Sequence, residues 1–169
     1  GYKNVTMKDI CLETNLSRGG LYRHYDSTQQ IFMEIITSLV DRQDTEISEK
    51  IKQGYPATQI LNEILERYKM EMLDNSASLS TAIYEFFSMN GPNDKNNILL
   101  KQYICSTETW KNLITYGVQC GEFKNVNLDE IIDIIIFSYQ GVRMYSQIMP
   151  LDEKIPQRII SHIQKILLV

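Results

Sequence analysis

The sequence of 169 residues is poor in the residue types that build metal sites and disulfide frameworks. It contains two histidines, and its three cysteines, Cys11, Cys105 and Cys120, are far apart and form no CxxC pair. Zinc sites and disulfide-bonded folds need clustered ligands or an even set of closely spaced cysteines. The sequence therefore predicts no metal site, no cofactor and no disulfide, and we expect buried free thiols.

A long apolar run is also missing. The longest one, over residues 131–142, is interrupted by Asp133, whereas about 20 apolar residues are needed to cross a bilayer. The opening GYKNVTMKDI lacks the charged segment and the following apolar segment of a secretory leader. We therefore expect a cytoplasmic protein that does not contact a membrane.

Motifs of common enzymes are absent as well. The sequence contains no HExxH, no glycine-rich phosphate loop and no GxSxG. A cysteine nucleophile would need a nearby base, and His162 is the one histidine outside the N-terminal motif described below. We therefore expect that the protein is not an enzyme.

What the sequence does contain is an uneven charge distribution. Residues 1–25 carry four basic and two acidic side chains, a net charge of +2, which leaves −6 for the rest of a chain whose total is −4. A small basic end on an acidic body predicts one local contact with an anionic partner such as nucleic acid.

Hydrophobic residues recur at helical spacing along nearly the whole chain, and no segment alternates long enough to predict a strand. The sequence therefore predicts an all-α fold. After two short helices, residues 27–52 form a connecting helix with an apolar stripe of Ile31, Ile35, Leu39 and Ile47. Further amphipathic helices are predicted over residues 57–74, 79–89, 95–120, 128–148 and 152–168.

The segment TNLSRGGLYRHY, over residues 14–25, has the spacing of a helix-turn-helix. Thr6 is a good N-cap for a first short helix, and Asn15 suits a left-handed turn at its end. Ser17 is a good N-cap for the second helix, which in this motif enters the major groove of DNA. The side chains expected to face the small core of this unit are Met7, Ile10, Cys11, Thr14, Leu16, Leu21 and Tyr25.

Gly19 and Gly20 lie together inside this second helix, where each glycine costs roughly 1 kcal/mol relative to alanine. Glycine allows a backbone to approach its neighbour closely. Because Leu21 and Tyr22 resume helical spacing at once, a loop is the weaker interpretation. We therefore predict a recognition helix with a bare surface that approaches DNA closely.

These residues resemble the tetracycline-repressor (TetR) family of one-component bacterial transcription regulators. The family's motif has a Gly-Tyr or Gly-Phe start, a Thr that opens a helix, an Ile, a turn, Ser-x-Gly-x-Leu-Tyr-x-His/Tyr-Phe, and Ser-Lys-Glu-x-Leu. The matching stretches here are GYKNVTMKDI, LSRGGLYRHY and DSTQQIF. The resemblance implies a helix-turn-helix DNA-binding domain over residues 1–30 and a larger helical ligand-binding and dimerisation domain over residues 31–169. The family's first helix would precede Gly1, so we expect the DNA-binding domain to lack it here.

The resemblance also assigns roles to single positions. Those implied to hold the phosphate backbone are Thr6, Ser17, Tyr22 and His24, and those implied to face base edges are Arg18, Gly19, Gly20 and Arg23. Arginine can donate two hydrogen bonds to guanine, a contact worth roughly 1–3 kcal/mol of discrimination. For Tyr22 the alternative is packing in the small core. Thr28 stands at the DNA-contacting position where the family has lysine, so we expect one phosphate contact fewer.

A small-molecule pocket among the middle helices is a further implication of the resemblance. Glu85 and Arg143 are charges within otherwise apolar stretches, as expected of groups that orient a ligand. Glu85 would favour a cationic ligand and Arg143 an anionic one, or the two could pair; ordinary core packing is the alternative for the aromatic residues. The candidate lining residues are Tyr68, Met72, Tyr84, Glu85, Phe87, Trp110, Tyr139 and Arg143.

Family members dimerise through their last two helices. The stretches IIDIIIF and IISHIQKILLV are more apolar than an exposed surface should be, although packing on the rest of the body would also account for them. The candidate dimer residues are Ile135, Gly141, Ile159, Ile163 and Ile166.

These features together predict a ligand-responsive, sequence-specific DNA-binding transcriptional regulator. We expect a homodimeric repressor that a small-molecule effector releases from a palindromic double-stranded DNA operator. The alternative is an all-α module that binds a small molecule or a protein partner and no longer binds DNA specifically, which Thr28 and the acidic balance favour.

Overall fold

A computed structural model of the chain describes residues 2–74, 79–90 and 97–169. Within these ranges the fold is all-α, as predicted, and its one β feature is an antiparallel bridge between Phe123 and Leu168. No helix of these ranges is long and apolar enough to span a membrane. A 3-10 turn, Tyr2–Asn4, precedes the helices α1 (Met7–Thr14), α2 (Arg18–Tyr22), α3 (Thr28–Lys52), α4 (Ala57–Met72), α5 (Leu79–Asn90), α6 (Ile98–Gln119), α7 (Leu128–Ser146) and α8 (Lys154–Leu167).

The predicted helices differ from the observed ones by up to three residues at their ends. The predicted start of α6 at residue 95 lies outside the described residues. The predicted boundary between residues 30 and 31 falls inside the first turn of α3, which continues unbroken across it. The helix-turn-helix unit and the body therefore share one helix.

The core of the body is formed mainly by α4, α6, α7 and α8. Each of these helices is amphipathic and turns its apolar side toward the centre. Leu61, Leu113, Ile132 and Ile160, one from each helix, are almost completely buried. Burial of one such side chain contributes about 1.5–3 kcal/mol to folding, so this cluster is the main source of stability for the body.

The turn after α6 ties three helices together. Phe123 packs so closely on Gly117 of α6 that a Cβ atom there would lie 2.2 Å from its ring. The neighbouring Glu122 accepts hydrogen bonds from the backbone N–H groups of Thr58, at 2.9 Å, and Ala57, at 3.0 Å. It therefore caps the start of α4, where the N-cap residue Pro56 makes no side-chain hydrogen bond.

An aromatic cluster joins the N-terminal unit to the body. The ring of Phe86 on α5 lies 5.0 Å from Tyr2, 5.2 Å from Phe32 of α3 and 5.1 Å from Phe87, measured between centroids. Ile36 of α3 is fully buried in the same cluster. Helix α5 therefore packs on the N-terminal turn and on the first half of α3.

Two predictions about burial are wrong. On α3, Ile35 and Leu39 are 44% and 45% exposed, and the residues buried instead are Phe32 and Ile36. The first half of α3 packs on α5 and the second half on the body core, so no single stripe serves both contacts. Of the cysteines, Cys11 is buried as expected, whereas Cys105 is half-buried and Cys120 is exposed.

Candidate nucleic-acid interface and effector cavity

The first helix of the helix-turn-helix unit begins with a capping box. Thr6 and Asp9 exchange hydrogen bonds, from Thr6 N to Asp9 Oδ2 at 2.8 Å and from Asp9 N to Thr6 Oγ1 at 3.3 Å. The hydrogen bonds from Thr6 hold the pKa of the Asp9 carboxyl below its ordinary value. The helix ends at Asn15, whose φ of 56° is the left-handed turn that the sequence predicts.

The second helix is short and turns its polar side chains outward. Ser17 caps it by accepting a hydrogen bond from the N–H of Gly20 at 3.0 Å. Leu21 is buried beneath it, whereas Tyr22 is 52% exposed, which favours the surface role over packing for Tyr22. The other predicted DNA-contacting residues are Thr6, Ser17, Arg18, Gly19, Gly20, Arg23, His24 and Thr28. Gly20 and Thr28 are half-buried, and the others are exposed.

The predicted small core of this unit is only partly present. Cys11 and Leu21 are buried, but Thr14 is exposed and Leu16 is 50% exposed. Tyr25 is half-buried, and its hydrogen bond with the Glu34 carboxylate raises the pKa of its hydroxyl. The interpretation of Thr14 and Leu16 as inward-facing residues is therefore wrong for the described structure, because the two short helices alone do not surround them.

Gly19 has no structural requirement inside the subunit. Its φ is not positive, and a Cβ atom added to it would meet no other atom within 4 Å. At Gly20 an added Cβ would lie 3.1 Å from Oγ of Ser17 and would crowd the helix cap. An internal reason for glycine thus exists at Gly20, whereas the described residues provide none at Gly19.

A cavity of about 510 Å³ lies among α3, α4, α5, α6 and α7. Its wall combines aromatic rings, aliphatic side chains and a few charges, the composition expected of a small-molecule site. Four of the eight predicted ligand residues line it: Tyr68, Trp110, Tyr139 and Arg143. The sequence thus locates the aromatic part of this wall.

The other four predicted ligand residues lie elsewhere. Met72 is buried in the body core, and the Tyr84 hydroxyl donates to the backbone oxygen of Gln140 at 3.3 Å. Glu85 and Phe87 face the N-terminal unit, where Glu85 accepts a hydrogen bond from the N–H of Lys3. Helix α5 reaches the cavity through Leu79 and Ile83, and Ile83 also packs against the aromatic cluster.

A chain of hydrogen bonds crosses the cavity wall between α7 and α4. Nη1 of Arg143 donates to the Tyr139 hydroxyl at 2.7 Å, and that hydroxyl donates to Glu71. The Tyr139 ring stacks on Tyr68 at 4.0 Å between centroids. Burial raises the pKa of the Tyr139 hydroxyl, so it stays protonated and remains a donor to Glu71.

One turn before Glu71 on the same helix, Arg67 of α4 meets Glu46 of α3. Nη1 of Arg67 lies 3.3 Å from Oε2 of Glu46. The other oxygen of Glu46 accepts from Nζ of Lys50 at 2.9 Å, and Lys50 also contacts Glu63 at 2.6 Å. These two pairs of opposite charges give a neutral network that holds the Arg67 guanidinium at the edge of the cavity.

The apolar surface of the last two helices lies mainly on α7. Ile135 and Ile163, two of the predicted dimer residues, are 1% and 2% exposed and belong to the core of the subunit, so that prediction is wrong for them. Ile159 and Ile166 are half-buried against the same core. The exposed residues, which we name the α7 stripe, are Ile134, Phe137, Met144, Tyr145 and Ile148, with Gly141 in their midst.

Comparisons with known proteins agree with this architecture. The family model described as "Bacterial regulatory proteins, tetR family" matches residues 1–35, which include both short helices. A second model, "Tetracyclin repressor-like, C-terminal domain", matches residues 60–155, more than half of the chain. The chain belongs to the TetR family.

A curated relative of this TetR family chain is the uncharacterized HTH-type transcriptional regulator YfiR of Bacillus subtilis (strain 168). The two are 26% identical over 127 residues, which are 75% of this chain and 62% of the relative. The chain thus spans less than two thirds of the length of that relative.

Several polar residues of the cavity in this TetR family chain were missed by the sequence interpretation. These residues are Arg67, Glu71, Glu46 and Gln140, and all four line the cavity. In the sequence they have the pattern of polar residues on the solvated face of an amphipathic helix. One signal was available, since Glu71 lies three residues after Tyr68 and such positions share a helix face. Across the described residues, no three His, Cys, Asp or Glu side chains are grouped to hold a metal ion.

Proposed function

We propose that this protein is a ligand-responsive transcriptional regulator that binds a palindromic DNA operator as a homodimer and is released from it by a small molecule. As a repressor of this kind it would act in the cytoplasm, where bacterial DNA lies. The observation that carries the proposal is the position of α5. Helix α5 lines the cavity through Leu79 and Ile83, and it packs on Tyr2 of the N-terminal turn and on Phe32 of α3.

The DNA contact is proposed for the exposed side of α2. Arg18 and Arg23 are exposed there beside Gly19, whose bare backbone leaves room for close approach to a groove. Hydroxyl groups of Thr6 and Ser17, with Tyr22 and His24, are suited to positioning on phosphates. The proposal includes Thr28 at the start of α3, where it would contact the backbone without adding a positive charge.

A second copy of the chain is proposed to cover the α7 stripe. Ile134, Phe137, Gly141 and Met144 recur every three or four residues along one face of α7, which is the pattern of a helix-packing surface, and Ile148 follows just after the helix. Gly141 lies in the middle of this face, and a Cβ atom there would meet nothing within 4 Å. Ile159 and Ile166, which remain half-exposed on α8, would extend the contact.

Release by the effector follows from a change in α5. A ligand displaces DNA only if it binds the released conformation more tightly than the DNA-bound one. In a dimer, the two recognition helices must lie about 34 Å apart, one helical turn, or a multiple of it. Because α5 contacts both the ligand and the helix-turn-helix unit, a shift of α5 would change that separation.

The first test is fluorescence anisotropy with DNA from upstream of the encoding gene. We expect tight binding to one palindromic fragment, a steep loss of affinity with salt, and loss of sequence preference in Arg18→Ala. Arg158→Ala is the matched control, because Arg158 is an exposed arginine on α8, far along the chain from α2. Absent or sequence-indifferent binding would instead support the ligand-binding or partner-binding module.

A further inference from the structure

Arg67 carries a buried hydrogen-bond donor without an acceptor, at the wall of the cavity. Its Nη1 is held by Glu46, but its Nη2 is buried and has no hydrogen-bond partner among the described residues. Buried donors are nearly always paired in folded proteins, since an unpaired one is unfavourable. The guanidinium is thus positioned on one side and has an unused donor on the other.

We propose that the effector is a neutral, mainly apolar molecule with one oxygen acceptor, such as a carbonyl, that binds Nη2 of Arg67. This inference rests on the proposed function, because it names the chemistry of the effector at the same cavity. It also replaces both sequence-based alternatives, which assigned the polar contact to Glu85 or to Arg143.

The other arginine of the cavity is already engaged. Arg143 donates to Tyr139, which donates to Glu71, and the Arg143 guanidinium lies 5.1 Å from the centroid of the Tyr139 ring. The positive charge of Arg143 is therefore balanced by Glu71 through one hydroxyl. An acceptor on the ligand can pair with Nη2 of Arg67 without breaking a hydrogen bond among the described residues.

The charges around the cavity favour a neutral ligand over an anion. Three carboxylates, Glu46, Glu71 and Asp74, line it together with two guanidinium groups, Arg67 and Arg143. The wall therefore has one more negative charge than positive charges. A carboxylate on the ligand would add a fourth negative charge, and repulsion in such a partly buried site is strong. A cation without an acceptor oxygen would leave Nη2 of Arg67 unpaired.

The rest of the cavity suits an apolar body on the ligand. Tyr68, Trp110 and Tyr139 present rings to it, and Ile47, Ile83 and Ile136 add aliphatic surface. A volume of about 510 Å³ is within the usual range for small-molecule sites, about 300–1,000 Å³. A ring or short chain that carries one carbonyl would therefore fill the apolar part and place its oxygen at Arg67.

Trp110 allows a direct test, because it is the single tryptophan of the sequence and lies in the cavity wall. Its indole N–H gives one resolved signal in a ¹H–¹⁵N correlation spectrum of the full chain without DNA. Titration with four probes of one size compares a ketone, a hydrocarbon, an anion and a cation: acetophenone, ethylbenzene, benzoate and benzylammonium. We expect acetophenone to bind about tenfold more tightly than each of the others.

Two variants assign that preference to Arg67. Arg67→Met keeps an unbranched apolar side chain and removes the donors, so acetophenone and ethylbenzene should then bind equally. Arg158→Met is the matched control, since this exposed arginine of α8 does not line the cavity, and it should keep the tenfold preference. The dispersion of the amide spectrum shows whether each variant is folded. If Arg67→Met does not fold, the order of probe affinities in the unsubstituted protein still tests whether the effector is neutral and carries an acceptor oxygen.

Three outcomes would overturn the inference. Equal binding of acetophenone and ethylbenzene would show that Arg67 does not bind the carbonyl oxygen. Tightest binding of benzoate or benzylammonium would exclude a neutral effector, and a Trp110 signal that none of the four probes shifts would exclude this ligand class. Failure of the proposed function is distinguishable, because loss of operator binding in the anisotropy assay would leave the probe ranking unchanged.

Discussion

The backbone N–H of Lys3 donates a hydrogen bond of 3.1 Å to Oε2 of Glu85, 82 residues later in the chain. This bond links the turn before the helix-turn-helix to α5, and the rings of Tyr2 and Phe86 pack beside it at 5.0 Å between centroids. Ile83 of the same helix packs against this aromatic cluster and also lines the cavity. Helix α5 is therefore a physical connection between the N-terminal turn and the cavity.

Glu85→Ala should loosen the N-terminal turn and leave the fold stable. The bond to Lys3 is exposed, so its loss should lower the free energy of unfolding by less than about 1 kcal/mol. Amide exchange in residues 2–5 should become several-fold faster, as measured by hydrogen–deuterium exchange. Glu66→Ala, at an exposed glutamate of α4, is the control and should leave that exchange rate unchanged; equal rates in both variants would contradict the link.

Gly19→Ala should change stability and DNA affinity in opposite directions. Nothing in the subunit obstructs a Cβ there, and alanine is the better helix former by up to about 1 kcal/mol, so the free energy of unfolding should rise. Affinity for the operator should fall about tenfold or more, because in the proposed complex the added methyl group would face the DNA. Chemical denaturation and anisotropy measure the two effects.

Gly54→Ala provides the contrast for that prediction. Its φ of +75° strains any side chain, so this substitution should destabilise the protein and leave operator affinity unchanged. If Gly19→Ala and the unsubstituted protein bind the operator with equal affinity, the proposed close approach of α2 to DNA is refuted.

Phe137→Asp should convert the proposed homodimer into a monomer. Phe137 is 62% exposed in the centre of the α7 stripe, and a second copy would bury an unpaired carboxylate there. Light scattering after size-exclusion chromatography should show half the mass. Met70→Asp is the control, because Met70 is 71% exposed on α4 outside the stripe; a mass unchanged in the Phe137 variant would refute the interface.

Glu122→Gln should lower stability in a pH-dependent way. Hydrogen bonds from the N–H groups of Thr58 and Ala57 hold the pKa of the Glu122 carboxyl below its ordinary value of 4.5. A depressed pKa stabilises the folded state above the ordinary value, and this contribution is lost as the pH falls through the lowered pKa. At pH 7 the variant should lose about 1 kcal/mol, the usual contribution of a helix cap.

Denaturation from pH 7 down to pH 3 tests this expectation. The difference in free energy of unfolding between Glu122→Gln and the unsubstituted protein should shrink as the pH falls below 4.5. Glu153→Gln, at an exposed glutamate just before α8, should show no comparable change. A difference that stays constant with pH would show that the ionised carboxylate is not the cap.

Much of the fold and the helix-turn-helix could be predicted from local sequence. The capping box of Thr6 and Asp9, the left-handed Asn15 and the cap at Ser17 all involve residues within three or four positions of one another. Such interactions depend on residue type and spacing, which the sequence states directly. The same reasoning located the helices to within a few residues.

The polar half of the cavity depends on contacts that sequence spacing does not state. Glu85 and Arg67 are both charged residues on amphipathic helices, yet the first binds the N-terminal turn and the second lines the cavity. Likewise Ile135 and Phe137 are neighbours on α7, but one is in the subunit core and the other is exposed. Local periodicity specifies which residues share a helix face, whereas the rotation and packing of whole helices specify what each face meets.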